Sequence, residues 1–299
     1  MTALQLAAEF STPSVVKTIA QNCADVVDAD ADQCTQLHKA ALHNHVDIVK
    51  LLIEHGANVN SIDNQLRTPL HYAAMTFLIE GGLTVVQDVD IFDIDLVQLL
   101  IKNGADVNAA DKHDHTALHY AAKQKAAQCA DVIRALVDAG ADVDVVDDDQ
   151  KTPLHKAAKE SISADVIRVL VEAGADVNAL DYQHQTPLHK SAKYNKCADV
   201  LRALVAAGAD VDALDKYQCA PLHRAASSNP DIVETFIAIG AKVNLLNENQ
   251  ESPLYLAAKS NHREAIVALC AAGADPYMGK VPWMLVGWYE VVIFVVVCF

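Results

Sequence analysis

Two helical patterns of apolar and polar positions follow each other along most of the chain. In the stretch from Thr152 to Asp181, TPLHKAAKESISADVIRVLVEAGADVNALD, apolar residues return every three or four positions in TPLHKAA and again in DVIRVLVEAG. Gly174 follows the second segment, where a glycine can end a helix in a left-handed conformation. The pattern predicts two short antiparallel helices. Because helices this short cannot bury their apolar faces alone, they must stack on copies of themselves.

The same block occurs eight times along the chain. A block opens at Thr2, Thr35, Thr68, Thr116, Thr152, Thr186, Ala220 and Ser252. The helix-stop position is held by Cys23, Gly56, Gly104, Gly140, Gly174, Gly208, Gly240 and Gly273. Each stop from Cys23 to Gly240 lies 12 residues before the next opening, so we expect a rigid connection between blocks. Variation in length falls between the two helices of a block, where a loop can grow without disturbing the stack.

The blocks resemble ankyrin repeats, which have a period of about 33 residues and a T-P-L-H-x-A core. The resemblance is carried by TPLHYAA at Thr68, TPLHKAA at Thr152, TPLHKSA at Thr186 and the GADVN or GADVD runs after the glycines. It implies an all-α fold, an ankyrin-repeat solenoid of stacked helix-turn-helix units with connecting β-hairpin-like turns. We predict an array over 1–277, with repeats at about 1–28, 29–61, 62–109, 110–145, 146–179, 180–213, 214–245 and 246–277, followed by a hydrophobic tail at 278–299.

Composition and charge agree with a repeat array. The chain is 52% hydrophobic but only 5% aromatic, which suits thin helices packed closely through alanine and valine. Much of the net charge of -16 comes from aspartates that recur at the start of second helices and five residues before block openings. The acidic balance argues against nucleic acid as a partner, because such binding depends on attraction to phosphates.

Cysteine usage indicates a reducing compartment. The seven cysteines are an odd number and include no C-x-x-C pair, so neither a disulfide framework nor a zinc site is expected. Met1 stands directly before the first block, which leaves no room for a signal peptide. We therefore expect a cytoplasmic monomer without cofactor or metal.

The third block carries an insertion at 79–93. Its aspartates Asp88, Asp90 and Asp93 raise a calcium hypothesis, but the spacing lacks the glycine and glutamate of an EF-hand loop. The simpler interpretation is that the apolar residues of the insertion fold back on the helices. A third interpretation is that this loop contacts a specific partner.

The tail is the second departure from the repeat pattern. Residues 281–299 read VPWMLVGWYEVVIFVVVCF, with Glu290 as the one charge, and a helix of this length would span about 28 Å of a bilayer. Pro282, Gly287 and the central Glu290 speak against a membrane anchor. Packing over the end of the eighth block and an abnormal chain end are the alternatives.

Histidines and carboxylates give no sign of catalysis. Six of the thirteen histidines are the motif histidine, which in the family bridges backbone groups of the connecting turns: His38, His71, His119, His155, His189 and His223. His113, His115 and His184 lie on turn tips at a spacing that repeats no metal site. No phosphate-binding loop, G-x-S-x-G sequence or catalytic pair of carboxylates is present, so no enzyme activity is predicted.

The resemblance implies that a partner protein binds in a concave groove formed by the turn tips and the first helices. Two slots of each first helix share a face, directly after TPLH and three residues later. The candidate contact residues are Lys39, Tyr72, Met75, Tyr120, Lys123, Lys156, Lys159, Lys190, Lys193, Tyr194, Arg224 and Lys259. This set predicts a basic stripe beside an apolar and aromatic section, suited to an acidic segment with an apolar or aromatic anchor. A solvated face is the alternative.

Two further features follow from comparison with the family pattern. The connecting turns lack the usual glycine two residues before the block opening, so the tip is either built from residues at positive φ or is a different turn. Asn60, Asn108 and Asn178 match the pattern hydroxylated by asparaginyl hydroxylase in ankyrin arrays, although turn formation through their own backbone is their expected role.

Three functions fit this sequence. The first is a non-catalytic scaffold or adaptor that binds a partner polypeptide in the groove. The second is a membrane-associated ankyrin protein anchored by 281–299. The third is the recognition fragment of a larger protein, such as an ankyrin-bearing kinase, channel, ubiquitin-ligase adaptor or latrotoxin-like toxin. Fold alone does not name the partner.

Overall fold

The computed structural model describes residues 29–75, 94–125 and 129–280. The chain separates into two compact units, unit 1 (Met1–Asp148) and unit 2 (Asp149–Phe299). The helices of unit 1 are α1 (Gln36–Leu42), α2 (Val46–Glu54), α3 (Pro69–Ala73), α4 (Ile94–Lys102), α5 (Ala117–Lys123) and α6 (Cys129–Asp138). Those of unit 2 are α7 (Pro153–Glu160), α8 (Ala164–Glu172), α9 (Pro187–Tyr194), α10 (Ala198–Ala206), α11 (Pro221–Ser228), α12 (Val233–Ala238), α13 (Pro253–Lys259) and α14 (Arg263–Ala271), with a 3-10 turn at Pro230–Ile232.

The order of elements confirms the predicted fold class within these ranges. Each described repeat contributes a first and a second helix, and the first helices of consecutive repeats in the same unit pack against each other. The core consists of the leucine of the TPLH motif and the aliphatic residues of the second helix, such as Leu154, Ile167 and Leu170, all fully buried. The proposed repeat boundaries stay a prediction. Three regions lie outside the described residues: the first block with Cys23, the insertion at 79–93 with its three aspartates, and the tail from 281 onward.

A threonine and a histidine fix the start of five of the described first helices. The backbone N–H and the hydroxyl of Thr152 lie 3.1 and 2.9 Å from Nδ1 of His155. Nε2 of His155 lies 2.9 Å from the carbonyl oxygen of Gln185 in the next repeat. Since a carbonyl can only accept, Nε2 carries the proton and Nδ1 is the acceptor. The histidine therefore links a helix start to the following turn, as the resemblance implies.

The end of each second helix is a glycine at positive φ. In α8, Gly174 has a φ of 97° and its N–H donates to Val171 O, while Ala175 N–H donates to Leu170 O. These two bonds form a Schellman motif, which satisfies carbonyls that the helix leaves open. The glycine position thus sets where the chain turns toward the next repeat.

The connecting turns do use positive φ without glycine, which decides between the two possibilities left open by the sequence. The residue two positions before each block opening has a φ between 55° and 60°, at Gln33, Leu66, Asp114, Gln150, His184, Gln218 and Gln250. The aspartate that precedes this residue by three positions stabilises the turn. In one turn, Asp181 Oδ1 accepts N–H bonds from Gln183 and Gln185 at 2.8 and 2.9 Å. These bonds help to offset the cost of the left-handed residue, about 1–2 kcal/mol.

Within 29–75, 94–125 and 129–280, no helix has the length and apolar character needed to cross a bilayer.

Candidate partner-binding surface

We call the position directly after TPLH the first slot. Its side chain contacts the turn of its own repeat. In five repeats its side chain donates to the aspartate nine residues earlier. The described pairs are Lys39–Asp30 (3.0 Å), Tyr72–Asp63 (2.7 Å), Tyr120–Asp111 (2.6 Å), Lys190–Asp181 and Arg224–Asp215. We call this contact the turn brace. It holds the first helix against the turn.

The turn brace buries two residues that the sequence places on an outward surface. The side chain of Lys190 is 7% exposed and its carboxylate partner Asp181 is 0% exposed. Nζ of Lys190 also donates to Gln185 Oε1 at 2.7 Å. Tyr72 is buried as well. The expectation that Tyr72 and Lys190 face outward is therefore wrong, because the turn carboxylate draws both side chains inward.

Residues nine positions apart in the sequence vary together in a way that indicates the turn brace. The slot holds lysine, tyrosine or arginine wherever the turn position is an aspartate, and each of these side chains can donate a hydrogen bond. In the eighth repeat the turn position is Asn247 and the slot is Leu256, so the carboxylate and the donor disappear together. The paired loss at a separation of nine residues indicates contact.

The ionised form is favoured at the turn carboxylates Asp63 and Asp215. Burial alone would raise the pKa of Asp215, but the Arg224 side chain and the turn N–H groups outweigh it, and the pKa lies below its ordinary value. Asp63 behaves in the same way, with Arg67 and Tyr72 as its side-chain donors. Burial lowers the pKa of Lys190, opposed by its bond to Asp181. The side chain in the first slot therefore mainly binds the carboxylate of the turn.

The second slot, three residues later, is more open to solvent. In unit 1 it holds Leu42, Met75 and Lys123, of which Lys123 is exposed and the other two are half-buried. In unit 2 it holds Lys159, Lys193, Ser227 and Lys259. Lys259 lies 3.2 Å from Glu251 and is therefore paired.

Two second-slot lysines of unit 2 lie over one exposed tyrosine. Nζ of Lys159 is 5.1 Å and Nζ of Lys193 is 4.8 Å from the ring centroid of Tyr194. The tyrosine is 49% exposed. We call Lys159, Lys193 and Tyr194 the lysine–tyrosine cluster. A hydrogen bond from Lys193 lowers the pKa of the Tyr194 hydroxyl, with the positive charges of Lys193, Lys190 and Lys159 acting in the same direction.

The lysines of the lysine–tyrosine cluster differ in their acidic neighbours. Lys159 pairs with the adjacent Glu160 at 2.7 Å. Lys193 forms no salt bridge within the described part of the chain, so its described contact is the tyrosine ring. By contrast, the arginines of the second helices pair with aspartates one turn away, as Arg202 does with Asp199 at 2.9 Å. The ring positions both ammonium groups without neutralising them.

The net charge of the two units differs strongly. Unit 1 contains 9 lysines and arginines against 22 acidic residues, a net charge of -13. Unit 2 contains 14 against 17, a net charge of -3. The acidity of the chain therefore belongs mainly to unit 1, and unit 2 provides the better setting for an anionic partner.

Most of the remaining candidates are held in paired or half-buried positions, and Lys123 is exposed. Lys39 and Arg224 belong to turn braces, and Tyr120 is half-buried with its hydroxyl on Asp111. Lys156 is also half-buried. The structure therefore brings together three of the candidate residues, Lys159, Lys193 and Tyr194, in one exposed group.

The three candidate asparagines have a different structural role from the one expected. Nδ2 of Asn60 donates to Gly104 O at 2.9 Å, and its Oδ1 accepts from Asp106 N–H at 2.8 Å. Asn108 and Asn178 make the same pair of bonds to the helix stop of their next repeat. The expectation that they bond mainly to their own backbone is wrong. Their hydroxylation stays a prediction.

Within the described ranges, no three histidine, cysteine, aspartate or glutamate side chains are arranged to hold a metal ion. No disulfide bond joins the cysteines described there, which are Cys34, Cys129, Cys197, Cys219 and Cys270.

Stacked helix pairs, histidine links between repeats and glycine helix stops define a helical repeat protein. The family model for ankyrin repeats in three copies matches residues 4–91, 87–181, 125–215 and 188–280. The chain therefore belongs to the ankyrin repeat family. Ankyrin repeats are protein interaction modules, so binding of a protein partner is the general function that the family implies.

Curated relatives match over short segments. Palmitoyltransferase ZDHHC17 of Homo sapiens is 36% identical over 77 residues, which cover 22% of this chain and 12% of that protein. Serine/threonine-protein kinase VIK of Arabidopsis thaliana is 51% identical over 41 residues, 14% of this chain and 9% of the kinase. Ankyrin repeat and MYND domain-containing protein 1 of Mus musculus is 48% identical over 56 residues, 19% and 6% of the two chains. The matches thus span a small part of each relative's length.

Proposed function

We propose that the chain is a non-catalytic scaffold or adaptor that binds an acidic polypeptide segment through the lysine–tyrosine cluster of unit 2. The observation that carries this proposal is the convergence of Lys159 and Lys193 on the exposed ring of Tyr194. An ammonium group over an exposed ring gains about 0.5–1 kcal/mol. Lys193 forms no salt bridge in the described part of the chain, whereas Lys159 already donates one hydrogen bond to Glu160. The ring therefore orders two cations in advance of binding.

The chemistry of the lysine–tyrosine cluster favours carboxylates on a polypeptide. Two ammonium groups and a phenol hydroxyl can all donate to acidic side chains, and the ring face offers apolar contact to the segment between them. A nucleic acid is the less suitable anion, because the net charge of -3 for unit 2 and -13 for unit 1 would repel an extended phosphate backbone.

Charge reversal tests the proposal. The variant carries Lys159→Glu and Lys193→Glu, and the probe is a set of synthetic glutamate-rich peptides, each with one phenylalanine, measured by fluorescence anisotropy. We expect the affinity to fall by about tenfold or more, equivalent to about 1.4 kcal/mol. The matched control carries Arg168→Glu and Arg202→Glu on the second helices, where affinity should change little. Equal losses in both variants, or no binding to the unaltered chain, would reject the proposal.

A second candidate is that this array is the recognition part of a larger protein. It is favoured by the matches to a palmitoyltransferase and a kinase, which are much longer than the matched segments. A transcript of the same locus that encodes a further domain would support it.

Cytoplasmic location, a monomeric state and the membrane role of 281–299 stay predictions. Cell fractionation with and without residues 278–299 tests the membrane role. Mass spectrometry of the native protein tests hydroxylation of Asn60, Asn108 and Asn178.

A further inference from the structure

The turns of unit 2 expose four large apolar or aromatic side chains. Leu180, Tyr182, Leu214 and Tyr217 are between 38% and 54% exposed. Leu180 and Leu214 hold the same repeat position, directly before the turn aspartates of consecutive repeats. In contrast, the leucine of each TPLH motif in unit 2 is almost fully buried. The apolar side chains at the turns therefore have no described role in the core.

Backbone hydrogen bonds hold these turns side by side. Lys216 N–H donates to Gln183 O at 3.0 Å, and Glu248 N–H donates to Tyr217 O at 3.1 Å. Each bond joins the tip of one turn to the tip of the turn before it. The exposed residues of consecutive turns are therefore neighbours on a continuous edge.

A lysine lies between two of the tyrosines on this edge. Nζ of Lys216 is 5.0 Å from the ring centroid of Tyr182 and 5.1 Å from that of Tyr217. Lys216 forms no salt bridge with any carboxylate that the structure describes. The nearby Arg224, whose guanidinium lies 5.7 Å from the Tyr217 ring, is already committed to Asp215. Lys216 is thus an ordered cation with capacity for a carboxylate.

We propose that the turn edge formed by Leu180, Tyr182, Leu214, Lys216 and Tyr217 binds a partner segment with an apolar side chain next to a carboxylate. The aliphatic and aromatic groups bury the apolar side chain, and the ammonium group pairs with the acid. Charge complementarity selects this occupant, since the cation at the centre of the turn edge lacks a carboxylate of its own. The inference rests on the proposed function, namely that the array binds a polypeptide.

The turn edge lies in unit 2, whereas the sequence pattern predicts the apolar contact in unit 1. The sequence pattern predicts an aromatic anchor site at Tyr72 and Tyr120 of unit 1, but Tyr72 is buried and both hydroxyl groups are bonded to turn aspartates. In unit 2 the rings of Tyr182 and Tyr217 remain exposed, so they offer the contact surface that Tyr72 does not.

The test is selection of a random peptide library on the full chain, followed by affinity measurement of the selected peptides on variants. One variant carries Leu180→Ser and Leu214→Ser, and a second carries Lys216→Glu. Lys216→Arg keeps a cation over the rings, and Arg202→Glu reverses an exposed charge elsewhere in unit 2. Circular dichroism checks that every variant is folded.

We expect selected peptides to place a leucine or an aromatic residue beside an acid. Their affinity should fall by about tenfold for the serine and Lys216→Glu variants and be retained in Lys216→Arg and Arg202→Glu. A loss of peptide affinity in Lys159→Glu/Lys193→Glu, with affinity retained in the turn-edge variants, would overturn this inference and leave the proposed function standing. The reverse pattern would support the inference and reject the lysine–tyrosine cluster.

Two other outcomes would also overturn the inference. One is selection of no peptide, or of peptides without the apolar and acidic pair. The other is a dimer of the full chain that the serine variant dissociates, because a second copy of the chain would then occupy the turn edge.

Discussion

At the scale of single residues, one repeat slot serves the turn rather than a partner. A carboxylate in the connecting turn uses one oxygen for two backbone N–H groups and leaves the other oxygen for a side-chain donor. In the turn of Asp215 the backbone donors are Tyr217 and Cys219. The side-chain donors are Arg224 and, from the preceding turn, Gln185. Because the carboxylate is buried, its charge requires a partner. The donor is therefore part of the fold.

Removal of one turn-brace donor should destabilise the chain strongly. In Lys190→Met, Asp181 keeps its two N–H bonds but loses its cation while fully buried, which costs about 3–5 kcal/mol. Urea unfolding measures this loss. The control Lys196→Met removes an exposed lysine paired with Asp231 and should cost less than about 1 kcal/mol. A similar small effect in both variants would contradict the structural role of the turn brace.

The left-handed turn residues should be improved by glycine. His184 has a φ of 55°, where a side chain costs about 1–2 kcal/mol, whereas glycine there costs about 0.5–1 kcal/mol in backbone entropy. We expect His184→Gly to raise the free energy of unfolding by about 0.5–1 kcal/mol, measured in urea. The matched control is Gln183→Gly, one position earlier and outside the left-handed region, which should destabilise instead. Destabilisation by both substitutions would show that the left-handed conformation carries no strain.

At the scale of elements, the sequence predicts the helix starts and ends, because neighbouring residues determine them. The helix starts at Thr152 and Thr186 and the stop at Gly174 follow from the motif, because capping and helix termination involve neighbouring residues. The turn brace was missed, since the contact between Lys190 and Asp181 depends on how the turn bends back on the helix. The exposed rings of the turn edge were missed for the same reason. Periodicity identifies the helix face of a residue but not the partner of its side chain.

The histidine links give the helix starts a defined dependence on pH. Burial lowers the pKa of His38, His71 and His189, and it lowers that of His223 to about 4, because removal from water disfavours the charged ring. The unfolded chain binds a proton below the ordinary pKa of 6.5, while the folded chain resists it. The contribution of these histidines to the free energy of unfolding should therefore be fully present above pH 6.5. It should fall as the pH decreases toward the pKa of the folded state.

Urea midpoints across this range test the pH dependence. His223 alone should contribute a loss of about 3 kcal/mol as the pH falls from about 6.5 to about 4. Turn aspartates with lowered pKa values add a further loss below about 4. As a control, Gln218→Asn changes a residue on a turn tip that does not titrate and should leave the slope unaltered. A stability that is constant between about pH 7 and pH 5 would contradict the neutral, buried state of the motif histidines.

At the scale of the whole molecule, charge affects the stability of unit 1 and peptide binding by unit 2 in different ways. Unit 1 carries most of the excess negative charge, and repulsion among like charges opposes its folded state. Unit 2 is nearly balanced and orders two lysines over Tyr194. The sequence shows the total charge and the repeated lysines. It does not show which lysines are already paired, because that depends on side-chain contacts within the fold.

Added salt should therefore act in opposite directions on stability and on binding. Between about 0.01 and 0.15 M ionic strength the screening length shortens from about 30 to about 8 Å, which weakens repulsion within unit 1 and raises its resistance to urea. The same change weakens attraction between the lysine–tyrosine cluster and a glutamate-rich peptide, so the affinity falls. Urea midpoints and peptide anisotropy measured in the same buffers compare the two responses. Lys159→Glu/Lys193→Glu should abolish the salt dependence of binding while the effect of salt on stability persists. Salt responses of the same sign would show that the charge of unit 1 does not limit its stability, or that the peptide is not held by these lysines.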